Sequence, residues 1–309
     1  MSCSSTFTPN SVEFLDHRDI EWPRVRRTRY RCYQRFQYCY PGPVRHLRQN
    51  LVVVPPDRYC DQRLCTFDLS VSPHPAAHRQ VVDDFGNRVI ALDVDWIDRT
   101  ITFGITLMVE RTANSVTQPT LPVGRFHELL RPTRLTTPDQ RISAVAHELA
   151  GRTADPAELA ARISDWVSET LTYGAGVTGV HTTAAEALAK GKGLCQDYAH
   201  VMLAICRVAG LPARYVSGHM LGEGGSHAWV EVLLPSERDG GLRPIAFDPT
   251  NRRRPNLGYT TVATGRDYCD VAPASGTYTG QYIGRLTFTK HAGLTLLEYD
   301  DGEVSRAEQ

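Results

Sequence analysis

The chain has 309 residues, 41% of them hydrophobic and 22% charged, with 34 Lys and Arg balanced by 34 Asp and Glu. Zero formal net charge argues against a dedicated nucleic-acid or anionic-membrane binder, and no apolar run is long enough to span a bilayer. The length sets two domains as the expectation, and the apolar fraction is enough to give each a core.

The opening residues, MSCSSTFTPNSVEFLDHRD, lack a basic segment followed by an apolar one. The expectation is therefore a cytoplasmic protein without a signal peptide, whose eight cysteines are scattered thiols. Further along, Tyr30, Cys32, Phe36, Tyr38 and Tyr40 share one parity, and Arg27, Arg29, Arg31, Tyr33 and Arg35 the other. This period-two alternation predicts a strand with one covered face, its arginine row being the solvated side. After PGP come QNLVVVPP, LCTFDLSVSP, DDFGNRVIALDVDW and RTITFGITLMVER, short strand patterns punctuated by Pro, Gly, Asn and Asp. Asp84, Gly86 and Asn87 supply turn chemistry, and the whole reads as an antiparallel sandwich or barrel. The polar stretch TANSVTQPTLPVG reads as a linker, giving a β-rich region over residues 1–115 and a second domain over 116–309.

Beyond the linker the period changes. Thr137, Pro138 and Gln140 read as a helix start, followed by Ile142, Val145, Ala146 and Leu149 at helical spacing. Asp155, Pro156 and Glu158 repeat that signal ahead of Leu159, Ile163, Trp166 and Val167, and Thr183 with Glu186 opens a shorter helix. GKG at 191–193 breaks helix, and Tyr198, Met202, Ile205 and Val208 form a further inward stripe. Strand patterns close the chain: ARYVSGHM, HAWVEVLL, PIAFDPT, then GRLTFTK and LTLLEYD in the tail.

Cys195 in GKGLCQDYAH thus falls in the first turn of a buried helix, where orphan amides lower a thiol's pKa. Its readings are a buried thiol, a metal ligand or a nucleophile. A nucleophile needs a base, and His227, opening the strand HAWVEV after the loop GEGGS, is the best placed. An acceptor orienting that imidazole is offered by Asp248 in FDPTN, with Asn251 as the poorer alternative. Competing readings are turn capping for Asp248 and a surface role for His227. A metal helix carrying His219, Glu223 and His227 is opposed by Gly222, Gly224 and Gly225 within it. Four residues separate Cys60 from Cys65 and six separate Cys32 from Cys39, spacings ill suited to zinc.

The ordered set GKGLCQDYAH, ARYVSGH, HAWVEV, AFDPTN and GRDYCDVAPASGTYTG, with DDFGNRV before it, resembles the transglutaminase-like superfamily of cysteine enzymes, bacterial branch. The resemblance spans nearly the whole chain. It implies an α+β fold: an N-terminal antiparallel β domain, then a papain-like core with a nucleophile helix packed on an antiparallel sheet. It further implies catalytic roles for Cys195 (nucleophile), His227 (base) and Asp248 (orienting acid). Gln196 stands where many relatives carry arginine. The implied chemistry is acyl transfer at an amide through a thioester, with peptide or amide hydrolysis expected ahead of amine-acceptor cross-linking. A non-catalytic binding protein with a vestigial triad is the alternative from another class. The expected partner is a peptide or protein amide substrate, with no nucleic acid, no membrane, no metal and no cofactor.

Overall fold

In the computed structural model, which describes residues 13–73, 77–113, 126–221, 224–236 and 241–307, the alternation around Tyr30 becomes the 15-residue strand β1 (Val25–Cys39). Tyr30, Cys32 and Phe36 are buried, and arginines of the other parity lie against acids. Arg29 and Arg63 reach Glu110 at 3.0 and 3.1 Å, and Arg27 meets Glu298 at 2.9 Å. Arg27 and Arg29 of the arginine row are therefore ion-paired on the face of the sheet away from its core.

β2 (Val44–Leu51), β3 (Arg58–Tyr59), β4 (Gln62–Ser72), β5 (His78–Val82), β6 (Arg88–Ile97) and β7 (Thr100–Thr112) follow. The helical part contains α1 (Phe126–Leu130), α2 (Gln140–Ala150), α3 (Pro156–Thr170), β8 (Thr172–Tyr173), α4 (Ala184–Lys190), β9 (Lys192–Gly193) and α5 (Cys195–Val208). Then come β10 (Ala213–Met220), β11 (His227–Pro235), β12 (Leu242–Phe247), β13 (Tyr259–Gly265), α6 (Tyr268–Val271), β14 (Ala274–Thr279), β15 (Arg285–Tyr299) and β16 (Val304–Arg306). The architecture is α+β, with helices packed beside the sheet β12-β11-β10-β13.

Two further antiparallel sheets, β16-β15-β1-β7-β4-β3 and β14-β2-β6-β5, share one apolar core with Tyr30, Phe36, Leu47, Ile90, Phe103 and Leu294 among its members. This is the expected sandwich, completed from an unexpected source. The tail strands, read from sequence with residues 116–309, pair with the first region: β15 lies along β1 and β14 along β2. GRLTFTK and LTLLEYD belong to one strand, because residues 285–299 pair along the equally long β1, with two register shifts. The linker stretch lies largely outside the described residues.

Local chemistry explains the helices. Asp155 caps α3 with Pro156 in its first turn, and Thr183 with Glu186 forms a reciprocal capping box on α4. The expected Thr137 start is corrected: α2 is capped by Asp139, whose carboxylate accepts from the Ile142 amide at 2.8 Å, while the Thr137 hydroxyl donates to the Thr133 carbonyl. Ile142, Ile163, Leu188 and the apolar face of α5 meet Ala228, Val230 and Val232 of β11 in a second core.

Strand β13 is the edge of its sheet, and an unpaired edge buried under another region would cost heavily. Two side-chain amides take the place of a neighbouring strand. Gln62 donates to the Thr261 carbonyl (2.7 Å) and accepts from its amide (2.9 Å). Asn87 does the same for Thr264 at 2.7 and 2.8 Å. The turn carrying Asn87 is itself held by Asp83, which accepts from the amides of Phe85 and Asn87, and by Gly86 at φ +82°. On the face of this sheet opposite α5, the buried pair Arg214–Glu231 (2.7 Å) receives the Tyr59 hydroxyl from β3.

Removing Asn87 leaves a buried donor and a buried acceptor of Thr264 unmet, at about 1–3 kcal/mol each. Asn87→Ala is expected to lower unfolding free energy by about 3 kcal/mol, read from urea denaturation. A loss below about 0.5 kcal/mol, the range of an ordinary surface change, would contradict this account of the edge.

Candidate active site

Cys195 occupies the first position of α5, as its sequence context predicts. The segment before it is fixed from both sides. Gly191 ends α4 at φ +63°, a left-handed cap suited to glycine. Lys192 and Gly193 then pair in parallel with Thr172 and Tyr173. At Gly193 a Cβ would stand 2.6 Å from the Asp197 side chain, so glycine is needed to let that carboxylate reach back. Asp197 accepts from the Leu194 amide (2.7 Å) and the Thr178 hydroxyl (2.7 Å). Burial pushes its carboxyl up, and these donors only partly counter that. The two glycines therefore stop one helix and seat the cap of the next.

Topology carries the histidine and the aspartate to the same end. A short turn, with Gly210 at φ +79°, joins α5 to β10, and the strand packs back along the helix. β11 is antiparallel to β10 and so runs with α5, placing His227 at the end where the helix begins. β12 is antiparallel to β11 and delivers Asp248 to that end again. The structure brings the two together: His227 Nε2 lies 2.8 Å from Asp248 Oδ2, and both side chains are 0% exposed. Surface and turn-cap readings are thus inadequate for this pair, although Asp248 does also cap its turn through the amides of Thr250 (3.0 Å) and Asn251 (3.2 Å).

Two further residues hold the carboxylate. Tyr259 donates its hydroxyl to Asp248 Oδ2 at 2.7 Å, and Asn251 donates its side-chain amide to the same oxygen at 2.8 Å. Burial alone would push the Asp248 carboxyl up, but His227, Asn251 and Tyr259 outweigh it and hold the carboxyl below the usual range. Asn251 thus braces the aspartate, with its amide 3.5 Å from His227 Nε2. Tyr259 has no signal in sequence, since nothing in the spacing of FDPTNRRRPNLGY shows that the chain turns back onto its aspartate. The Gln196 side chain donates to the Val180 carbonyl at 3.2 Å.

The helix that would have gathered His219, Glu223 and His227 does not form: His219 closes β10, His227 opens β11, and Glu223 lies outside the described residues. Strand geometry overrides the four-residue spacing. No group of three or more His, Cys, Asp or Glu side chains among the described residues is arranged to hold a metal.

Because its folded pKa is depressed, Asp248 contributes stability above the unfolded carboxylate value, about 3.9. That contribution disappears as pH falls through the lower folded value. Tyr259→Phe deletes one donor and raises the folded value. Acid unfolding followed by tryptophan fluorescence is expected to move to higher pH by a few tenths of a unit. An unchanged midpoint would show that the hydroxyl does not stabilise the anion.

The description "Transglutaminase-like superfamily" matches residues 143–249, and "Bacterial transglutaminase-like N-terminal region" matches residues 30–110. An uncharacterized protein of Mycobacterium leprae is 34% identical over 219 residues, covering 65% of this chain and 76% of that protein. An uncharacterized protein of Mycobacterium tuberculosis is 28% identical over 274 residues, covering 80% and 87%. Among solved structures, a protein of Cytophaga hutchinsonii described as a candidate cysteine protease shares the fold at TM-score 0.71 and 23% identity, covering 87% of this chain and 91% of that one. The periplasmic domain of TgpA from Pseudomonas aeruginosa also matches, at TM-score 0.38 and 17% identity over 70% of this chain and 87% of that one. The cytoplasmic location expected from sequence is withdrawn, and no compartment is assigned to this chain. No helix among the described residues is long and apolar enough to cross a membrane. With a matched N-terminal region, a matched core and a relative above 30% identity, the chain belongs to the bacterial branch of the transglutaminase-like superfamily.

Proposed function

We propose that the protein is a cysteine-dependent acyl-transfer enzyme that hydrolyses an amide bond, in a peptide or protein, through a thioester on Cys195. The observation that carries this reading is the buried 2.8 Å pair between His227 Nε2 and Asp248 Oδ2, at the end of the sheet where the Cys195 helix begins. With Nε2–H donated to the carboxylate, His227 keeps its lone pair on Nδ1, the atom assigned here as proton acceptor.

In the proposed reaction Nδ1 takes the Sγ proton, and the sulfur bonds to the amide carbon. The resulting oxyanion meets the Cys195 backbone N–H, which at the first helical position has no helical carbonyl to serve. The C–N bond then breaks, the imidazolium returns its proton to the leaving amine, and a thioester remains. Water, deprotonated by the same nitrogen, attacks the thioester and releases the acid and the thiol. Asp248 fixes the tautomer and stabilises the transient imidazolium. Hydrolysis is favoured over cross-linking because Cys195 is partly exposed, and a cross-linker must keep water from its thioester.

Cys195→Ala is expected to abolish rapid modification by iodoacetamide and all turnover in a peptide-amide library, with the circular dichroism spectrum retained. Full turnover in that variant would end the reading. Asp248→Asn is expected to lower kcat/KM by orders of magnitude, the direction seen in a serine triad, where the loss is about 10⁴. For the acceptor, the acyl-enzyme is challenged with a primary amine and the products weighed by mass spectrometry. Free acid is expected. Mostly new amide at millimolar amine would make the protein a cross-linking enzyme, and no acyl-enzyme on any amide would make it a binding protein.

A further inference from the structure

Between the first sheet and the core lies a cavity of about 170 Å³, close to the size, about 150 Å³, at which an apolar cavity admits a benzene ring. Phe36 of β1, Phe288 of β15 and Val53 form its apolar side, and Ser226 and His219 line the other. Ser226 directly precedes His227, and the next cavity residue, Gly218, pairs with His227 across β10 and β11. The cavity is therefore lined by neighbours of His227, one in sequence and one across the strand pair, and part of its wall comes from the β-rich region.

His219 is the unexplained group in it. The residue is 3% exposed, and neither ring nitrogen has a hydrogen-bond partner among the described residues. Its ring stacks on Tyr30 of β1 with centroids 6.3 Å apart, which fixes its plane. Burial, with a lesser push from Lys290, lowers the imidazolium to about 3, so the ring is neutral and carries one donor and one acceptor. A buried polar side chain left unmatched is a cost that folding does not ordinarily tolerate.

We propose that this cavity is a specificity pocket that receives an aromatic substrate side chain ending in a hydroxyl, with His219 as the residue that reads the hydroxyl. The dimensions and the flanking phenylalanines suit a ring. A hydroxyl, both donor and acceptor, matches a neutral imidazole, whereas an ammonium or carboxylate group would lose its water against apolar walls. The proposal rests on the acyl-transfer reading for the use of the pocket, but its recognition is testable without turnover.

The full chain carrying Cys195→Ala is titrated with N-acetyl-tyrosinamide, N-acetyl-phenylalaninamide and N-acetyl-lysinamide, with binding read by calorimetry or ligand-observed NMR. The tyrosine probe is expected to bind about fivefold tighter than the phenylalanine probe, one neutral hydrogen bond's worth, and the lysine probe weakest. Adding His219→Leu should remove the tyrosine preference while leaving the phenylalanine probe bound. Equal binding of all three probes, or a tyrosine preference that survives His219→Leu, would overturn the pocket. Should that variant fail to fold, Leu286→Arg at the exposed rim (43% exposed) should weaken both aromatic probes, and unchanged binding would overturn the proposal equally. Probe preference without wild-type turnover would remove the enzyme reading and keep the pocket. Turnover without preference would do the reverse.

Discussion

The Asp248 carboxylate has no solvent exposure, and an anion can persist there only because donors converge on it. They arrive from four places: the ring of His227, the hydroxyl of Tyr259, the side chain of Asn251 and the backbone amides of Thr250 and Asn251. Meeting that requirement shapes the surrounding chain. The segment after β12 turns tightly, with Asp248 and Arg253 bonded backbone to backbone in both directions. It then re-enters the sheet at Tyr259, whose ring stands edge-on to Trp229. Arg253 donates to the Tyr259 oxygen at 2.8 Å, keeping the hydroxyl proton directed at the carboxylate.

The β-rich region completes the core rather than merely preceding it. Gln62 and Asn87 satisfy the β13 edge as a neighbouring strand would, and Tyr59 joins the buried Arg214–Glu231 pair on the face opposite the helices. A buried ion pair is stabilising only when its remaining hydrogen-bonding capacity is met, and the Tyr59 hydroxyl helps to meet it. The chain's last long strand then returns to β1, closing the region after the core has been threaded through. This arrangement also sets Phe36 and Phe288 in the wall of the cavity that His219 lines.

Much of this was legible in the sequence. Period-two alternation gave β1 its inward face, and helical spacing with Asp155, Thr183 and Glu186 located α3 and α4. The placement of Cys195 in the first turn of α5 and of His227 at the start of β11 also followed from local pattern, because helix breaks and strand starts depend on neighbouring residues. The resemblance to a superfamily added the ordering of the three candidate residues. The cap of α2 was misplaced by two residues, since Thr137 and Asp139 are both competent caps and only the seating of Ile142 distinguishes them.

By itself the sequence determined that β1 is a strand and that α2, α3, α4 and α5 are helices, with the helix start at Cys195 and the strand start at His227, all of which rest on short-range periodicity and turn chemistry; β13 and β14 were not read from it. Tertiary structure alone decided that Tyr259 supports Asp248, that the tail strand belongs with β1, that Gln62 and Asn87 serve as an artificial edge, and that His219 faces a cavity. Each of these joins residues far apart in the chain, or turned back through a loop, where spacing carries no information. What selects the partner is the cost of leaving a buried polar group unmatched, and that cost exists only once the chain has closed around it.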